Sequence, residues 1–96
     1  MDLLESIRRL RSEILSAAER RGARNVRLFG SVVRGEARAD SDIDFLVDLD
    51  AGRSLFDLGG LHADLEAILG REVDVVTSAG LRERVRGSVL RDATPL

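Results

Sequence analysis

Residues 28–48 read LFGSVVRGEARADSDIDFLVD, and this stretch decides both the fold and the candidate site. It begins with a Gly-Ser pair, Gly30 and Ser31, that follows a short apolar run. It ends with Asp42-Ile43-Asp44 at the head of an apolar segment, after a gap of ten residues. The first end has the features of an anion site and the second those of a cation site. The rest of the chain is interpreted as the scaffold that holds them together.

The Gly-Ser end predicts an anion site. Val26–Phe29 is interpreted as a strand, and residues 32–34 have room for about one helical turn. A helix start leaves backbone N–H groups unpaired at the positive end of the helix dipole. Gly30 would let a phosphate approach the backbone closely, the Ser31 hydroxyl adds a donor, and Arg34 has the reach to contact the same anion. By itself the motif is weak, because most such pairs form plain turns.

The acidic end predicts a strand with a carboxylate face. Apolar and polar residues alternate here, with Ile43, Phe45, Val47 and Leu49 on one face and Asp42, Asp44, Leu46 and Asp48 on the other. Asp42 and Asp44 would lie roughly 6–7 Å apart along the strand, a separation that lets two carboxylates flank a hard divalent cation. The alternative is a solvated polar face, which is the better explanation of an isolated Asp-x-Asp.

A third carboxylate favours the cation site. Glu72–Thr77 has the alternation of another strand, with Asp74 on the face opposite Val73 and Val75. If the two strands are neighbours, Asp74 lies beside Asp42 and Asp44. The sequence then predicts three carboxylates and a phosphate cradle in one place.

These motifs carry a resemblance to a known family. The pattern from Gly30-Ser31 to Asp42-Ile43-Asp44 resembles the signature of the DNA polymerase beta-type nucleotidyltransferase superfamily. The longer form is similar to minimal nucleotidyltransferase (MNT) proteins, which are short bacterial and archaeal chains usually paired with a HEPN-domain toxin. The resemblance extends to residues 69–77, LGREVDVVT, where the family carries its third carboxylate, and covers nearly the whole chain. Val33 departs from the alanine usual in the family.

The resemblance implies a substrate, cofactors and a set of site residues. The substrate would be a nucleoside triphosphate, with ATP expected, and two Mg²⁺ ions would be the cofactors. The implied catalytic and metal-binding residues are Asp42, Asp44 and Asp74, and the implied phosphate-binding residues are Gly30, Ser31 and Arg34. Asp74 would also help to deprotonate the acceptor hydroxyl. Ser41, just before the acidic pair, is expected to form a turn.

The acceptor is expected on a partner protein, because the nucleotide cradle uses nearly the whole domain. The resemblance implies a HEPN toxin and therefore a hetero-oligomer. Two hypotheses stay open: an enzyme that neutralises its partner by adenylylation, and a binding antitoxin that acts sterically with little or no catalysis. The chain has no tyrosine, so any self-modification is expected on serine or threonine.

Composition limits the alternatives. Ninety-six residues predict one domain, residues 1–96, and the absence of cysteine excludes a disulfide framework. All 15 basic residues are arginine, and a net charge of −2 argues against a general nucleic-acid binder. No apolar run has the length of a membrane span, so we expect a cytoplasmic protein.

The periodicities predict an α/β (α+β) fold of two layers, with a short sheet packed against helices in the order αβαβαβα. The expected helices are residues 2–21, 31–34, 55–69 (capped by Ser54 and Asp57) and 81–92, and the expected strands are residues 25–29, 43–49 and 72–77. The resemblance further implies a mixed sheet whose first two strands are antiparallel. Gly59-Gly60 inside a helix indicates either a close packing contact or a frayed first turn.

Overall fold

A computed structural model describes residues 2–96 and has the predicted α/β architecture, with a short strand at residues 94–95 that the predicted order αβαβαβα did not include. The elements are α1 (Leu3–Arg9), α2 (Arg11–Arg20), β1 (Ala23–Phe29), α3 (Ser31–Arg34), β2 (Ile43–Leu49), α4 (Leu55–Leu69), β3 (Val73–Thr77), α5 (Glu83–Asp92) and β4 (Thr94–Pro95). The sheet order is β3-β2-β1-β4. Strand β1 is antiparallel to both β2 and β4, and β2 is parallel to β3, so the expected mixed sheet is confirmed.

The core lies on one face of this sheet. It contains the apolar face of β2 that the alternation predicted, of which Ile43, Phe45 and Val47 are fully buried. Helix α2 packs against β1, and α4 packs against β3 and α2, so both helices cover the same face. Leu46, on the opposite face of β2, is also fully buried but lies outside this main cluster.

The prediction of one continuous helix over residues 2–21 is wrong. The chain breaks at Leu10, whose N–H donates to the carbonyl of Ile7 at 2.9 Å in a tighter, three-residue turn. The apolar spacing continues through this point, so the sequence pattern did not indicate the break. Because of it, α1 packs against α3 while α2 packs against β1 and α4. Helix α1 therefore supports the short helix that follows the Gly-Ser pair.

Strand β1 begins two residues before its predicted start, and it contains a bulge. The register with β2 shifts between Arg24 and Arg27, and Asn25 adopts a left-handed conformation with φ of 54°. Asparagine tolerates this conformation better than most residues. Its side-chain amide also donates to Asp48 at 3.0 Å. The bulge allows Ala23 and Val26, an odd number of positions apart, to be buried on the same side of the sheet.

The glycine pair in α4 has a packing explanation at one of its two positions. A Cβ atom on Gly60 would overlap the guanidinium of Arg21, whereas one on Gly59 would meet open space. The Nε of Arg21 donates to Asp64 in the next turn of α4, at 3.0 Å. Gly60 thus lets Arg21 cross the surface of α4 and link it to the end of α2.

Helix α4 begins with the predicted capping box. The Ser54 hydroxyl accepts from the N–H of Phe56 at 3.2 Å, and the Asp57 carboxylate accepts from the N–H of Ser54 at 3.1 Å. We expect Ser54→Ala to lower the free energy of unfolding by about 1 kcal/mol, because the first turn loses its side-chain acceptor. Urea unfolding monitored by circular dichroism measures this change.

The matched control for the cap is Ser88→Ala, an exposed serine inside α5. Alanine is the better helix former at an interior position, so this variant should be neutral or slightly more stable. Equal losses in the two variants would contradict a capping role for Ser54.

No helix within residues 2–96 combines the length and the apolar character that crossing a bilayer requires.

Candidate active site

The parallel pairing of β2 and β3 brings two of the predicted carboxylates together. Asp44 and Asp74 are direct partners in the register of the two strands. Asp44 is half-buried, while Asp74 is exposed. Asp42 is also exposed and lies one residue before β2 begins. The sequence predicted three neighbouring carboxylates only if the two strands pair, and β2 and β3 do pair. Asp42 lies just before the start of this pairing.

The Gly-Ser pair lies against the same carboxylate. Phe29, the last residue of β1, pairs with Asp44, so the chain turns at Gly30 directly beside that side chain. Gly30 has φ of 77° and ψ of −154°, a combination essentially restricted to glycine. A Cβ atom at this position would collide with the Asp44 carboxylate. Ser31 then begins α3, which places a helix start next to the carboxylates.

The electrostatics of Asp44 distinguish it from the other acidic residues. Its pKa is raised from 3.8 to about 6, chiefly by burial and then by the nearby charges of Asp74 and Asp42. The positive charge of Arg34 acts in the opposite direction. A carboxylate that shares its surroundings with two others is stabilised in its charged form by a cation. All three predicted carboxylates thus interact electrostatically at one end of the strands.

The carboxylates fit a magnesium site whose remaining ligands are phosphate oxygens. Within residues 2–96, no three acidic or histidine side chains are gathered closely enough to hold a metal by themselves. Mg²⁺ does not need such a cage, since one or two carboxylates and the phosphates of a nucleotide commonly bind it. Asp44 with Asp74 or Asp42 supplies those carboxylates. The missing Cβ of Gly30 lets the Asp44 carboxylate lie close against the backbone of the Gly-Ser turn.

Arg34 is held by two carboxylates. Its Nε donates to Glu36 at 2.6 Å and its Nη1 donates to Asp92 at 2.5 Å. The predicted phosphate contact would therefore require Arg34 to exchange one of these partners for the phosphate. The Asp92 contact spans 58 residues and links α3 to the end of α5, a connection that sequence spacing alone did not indicate.

Sequence reasoning also missed the contacts that hold the segment before Asp42. Residues 38–41 form the expected turn, in which the Ser41 N–H donates to the carbonyl of Arg38 at 3.0 Å. The Ser41 hydroxyl accepts from the N–H of Arg38 at 2.8 Å. Arg71 donates to the carbonyl of Ser41 at 2.6 Å and to that of Arg38 at 3.2 Å. Arg71 is part of the LGREVDVVT motif, but its partners lie about 30 residues away in sequence.

Comparison with known proteins identifies the family. The Nucleotidyltransferase domain model matches residues 7–95 of this chain. The chain therefore belongs to the nucleotidyltransferase domain family. A curated relative from Thermococcus cleftensis, named protein adenylyltransferase MntA, is 46% identical over 74 residues, which are 77% of this chain and 75% of the relative. A Methanocaldococcus jannaschii protein inferred to be a protein adenylyltransferase is 35% identical over 88 residues, covering 92% and 95% of the two chains.

Solved structures agree with the fold. One protein, inferred to be a minimal nucleotidyltransferase, superimposes with a TM-score of 0.88 at 52% identity, covering 100% of this chain and 97% of its own. A chain from a toxin–antitoxin crystal structure with AMP-PNP gives a TM-score of 0.74 at 21% identity, covering 88% of this chain and 69% of its own. The second likeness shows the fold alone. The resemblance to minimal nucleotidyltransferases is confirmed.

Proposed function

We propose that this protein is a Mg²⁺-dependent nucleotidyltransferase that transfers AMP from ATP to a hydroxyl group of a partner protein. The observation that supports it best is the contact between the Gly30 backbone and the Asp44 carboxylate, with Asp74 paired beside it. A phosphate cradle and a group of mutually repelling carboxylates together suit a cation-bound triphosphate.

The proposed reaction exchanges one phosphorus–oxygen bond for another. The acceptor oxygen forms a bond to the α-phosphorus, the bond from that phosphorus to the bridging oxygen breaks, and pyrophosphate leaves. Asp42 and Asp44 would hold the metal, which would supply charge neutralisation for the attacking and leaving oxygens. Asp74 would complete a second metal site and would help to remove the proton of the acceptor hydroxyl. Gly30 and Ser31 would hold the outer phosphates, with Arg34 as a helper.

The proposed partner is a toxin with a HEPN domain, and the proposed assembly is a hetero-oligomer. Relatives that share 35–46% of their aligned residues with this chain carry protein adenylyltransferase names. Two structural neighbours come from toxin–antitoxin assemblies, one of which was crystallised with AMP-PNP. These findings support the role of an antitoxin. We further propose that residues 1–96 form one minimal nucleotidyltransferase domain that works in the cytoplasm.

The decisive experiment measures the intact mass of the co-purified native partner before and after incubation with ATP and Mg²⁺. We expect mass steps of one or more AMP units with the wild-type protein and none with the Asp42→Asn/Asp44→Asn variant. The reason is that the variant lacks two carboxylates proposed to hold the metal. Any AMP on this chain itself is expected on serine or threonine, because the chain contains no tyrosine.

Asp50→Asn is the matched control for this experiment, since it removes an exposed carboxylate just beyond the other end of β2. It should modify the partner as the wild type does. If the partner co-purifies tightly but its mass does not change, and if the double variant neutralises it equally well, the protein is a binding antitoxin and the enzymatic proposal is wrong.

A further inference from the structure

The turn that leads into Asp42 is held from outside by the side chain of Arg71. The Nη2 atom of Arg71 donates both to the carbonyl of Ser41, at 2.6 Å, and to the carbonyl of Arg38, at 3.2 Å. The Ser41 carbonyl belongs to the peptide bond that joins Ser41 to Asp42. Arg71 therefore fixes the plane of the peptide from which the Asp42 side chain departs.

The same short segment also organises the other carboxylates. The backbone carbonyl of Glu72, the next residue, accepts from the N–H of Ile43 at 3.2 Å, which starts the pairing of β2 with β3. Asp74 follows two residues later and pairs with Asp44. Residues 71–74 thus hold the chain on both sides of Asp42 and supply the third carboxylate.

The environment of Arg71 argues against a purely stabilising role. Within residues 2–96, its Nε is buried and lacks a hydrogen-bond acceptor. An unpaired buried donor costs free energy, so the position of this guanidinium does not give it the largest number of hydrogen bonds. Its position instead allows the two hydrogen bonds to the carbonyls of the turn. It also lines a cleft of about 320 Å³ together with Ser41, Asp42 and Glu72.

We propose that Arg71 is a positioning residue that orients Asp42 toward a divalent cation bound with a nucleoside triphosphate. The identity of that ligand rests on the proposed function, whereas the control of the turn rests on the contacts of Arg71 alone. Arginine suits this task because one planar group reaches two carbonyl oxygens while keeping its charge. Mutation of a residue that orients a metal ligand without touching the metal typically lowers metal affinity about 10–100-fold.

The test compares Arg71→Met and Arg71→Lys with the control Arg84→Met, which removes an exposed arginine of α5. Methionine keeps an apolar stem of similar length but donates no hydrogen bond. Two measurements are made on each folded variant: hydrogen exchange of the Ser41 and Ile43 amides, and the dissociation constant for Mn²⁺–ATP by calorimetry. Mn²⁺ replaces Mg²⁺ because it favours similar oxygen ligands.

In Arg71→Met we expect the two amides to exchange about tenfold faster and Mn²⁺–ATP to bind about tenfold more weakly. The Phe45 amide, in the buried part of β2, should exchange as in the wild type. Arg71→Lys should give intermediate values, because its ammonium group can also donate to a carbonyl but stands on a shorter side chain than the Nη2 atom. This second variant decides the matter if Arg71→Met does not fold.

Wild-type exchange rates and wild-type affinity in a folded Arg71 variant would overturn the proposal. An equal loss of affinity in Arg84→Met would overturn it too, because general charge would then explain the effect. If the wild-type protein itself fails to bind Mn²⁺–ATP, the proposed function is wrong, and the exchange rates alone decide whether Arg71 holds the turn.

Discussion

Asp44→Asn is expected to abolish nucleotidyl transfer and also to make the protein more stable at pH 8. Transfer should fall by at least about 100-fold, since even the outer partners of metal ligands are worth 10–100-fold. The gain in stability has an electrostatic origin. The half-buried Asp44 carboxylate lies near Asp74 and Asp42, and its pKa is raised from 3.8 to about 6. Its ionisation therefore opposes folding.

The pH dependence of this gain follows from the direction of the pKa shift. A carboxyl group whose pKa is higher in the folded state destabilises the fold fully above pH 6, where it is charged in both states. The penalty declines as the pH falls below 6 and is lost below about pH 4, where the group is neutral in both states. After allowance for solvent screening of a half-exposed group, we expect Asp44→Asn to add about 1 kcal/mol at pH 8. Urea unfolding in EDTA, without nucleotide, at pH 8 and pH 4.5 measures the difference.

Asp48 provides the matched control, because it lies on the same face of β2. Its pKa is lowered, chiefly by the Ser78 hydroxyl and then by the Asn25 amide and neighbouring arginines. The charged form of Asp48 therefore stabilises the fold, and this contribution is lost as the pH falls through its folded-state pKa. Asp48→Asn should lower the unfolding midpoint at pH 8, opposite to Asp44→Asn. A decrease in both variants would show that the Asp44 carboxylate is not strained by its surroundings.

The pKa values of Asp44 and Asp48 shift in opposite directions, although the sequence pattern treats the two residues alike. Alternation alone placed Asp44 and Asp48 on one face of β2, and the structure has that strand with the predicted bounds. The capping residues likewise located the start of α4 correctly. Such local patterns can be recognised in the sequence because each depends on residues only a few positions apart in the chain.

What the sequence did not predict depends on contacts between distant residues. The break at Leu10 lets α1 pack against α3 while α2 packs against the sheet, and the apolar spacing carries no sign of it. Arg34 was expected near phosphate, but its structural partners include Asp92, 58 residues away. Arg71 stood inside a recognised motif, yet its carbonyl partners become visible only when β2 and β3 are aligned. The motif predicted which residues form the candidate site, and the tertiary contacts indicate how each is held.

Gly30→Ala is expected to have the largest effect on both stability and nucleotide binding. Alanine must adopt φ of 77° and ψ of −154°, which costs roughly 1–3 kcal/mol of backbone strain. Its Cβ atom must also displace the Asp44 carboxylate. Together these effects should lower the free energy of unfolding by about 3 kcal/mol and abolish Mn²⁺–ATP binding. Urea unfolding and calorimetry on the purified variant provide the two measurements.

A double-mutant cycle separates the strain from the collision. In an Asp44→Ala background the carboxylate is gone, so Gly30→Ala should cost about 1 kcal/mol less than in the wild type. Gly35→Ala is the control: it also has a positive φ, of 74°, but a Cβ atom there meets open space. Its cost should not depend on Asp44. If Gly30→Ala and Asp44→Ala are additive within about 0.5 kcal/mol, the two residues do not compete for space. Coupling at Gly30 and none at Gly35 would mean that the glycine of the Gly-Ser pair is required by the carboxylate beside it as well as by its own backbone.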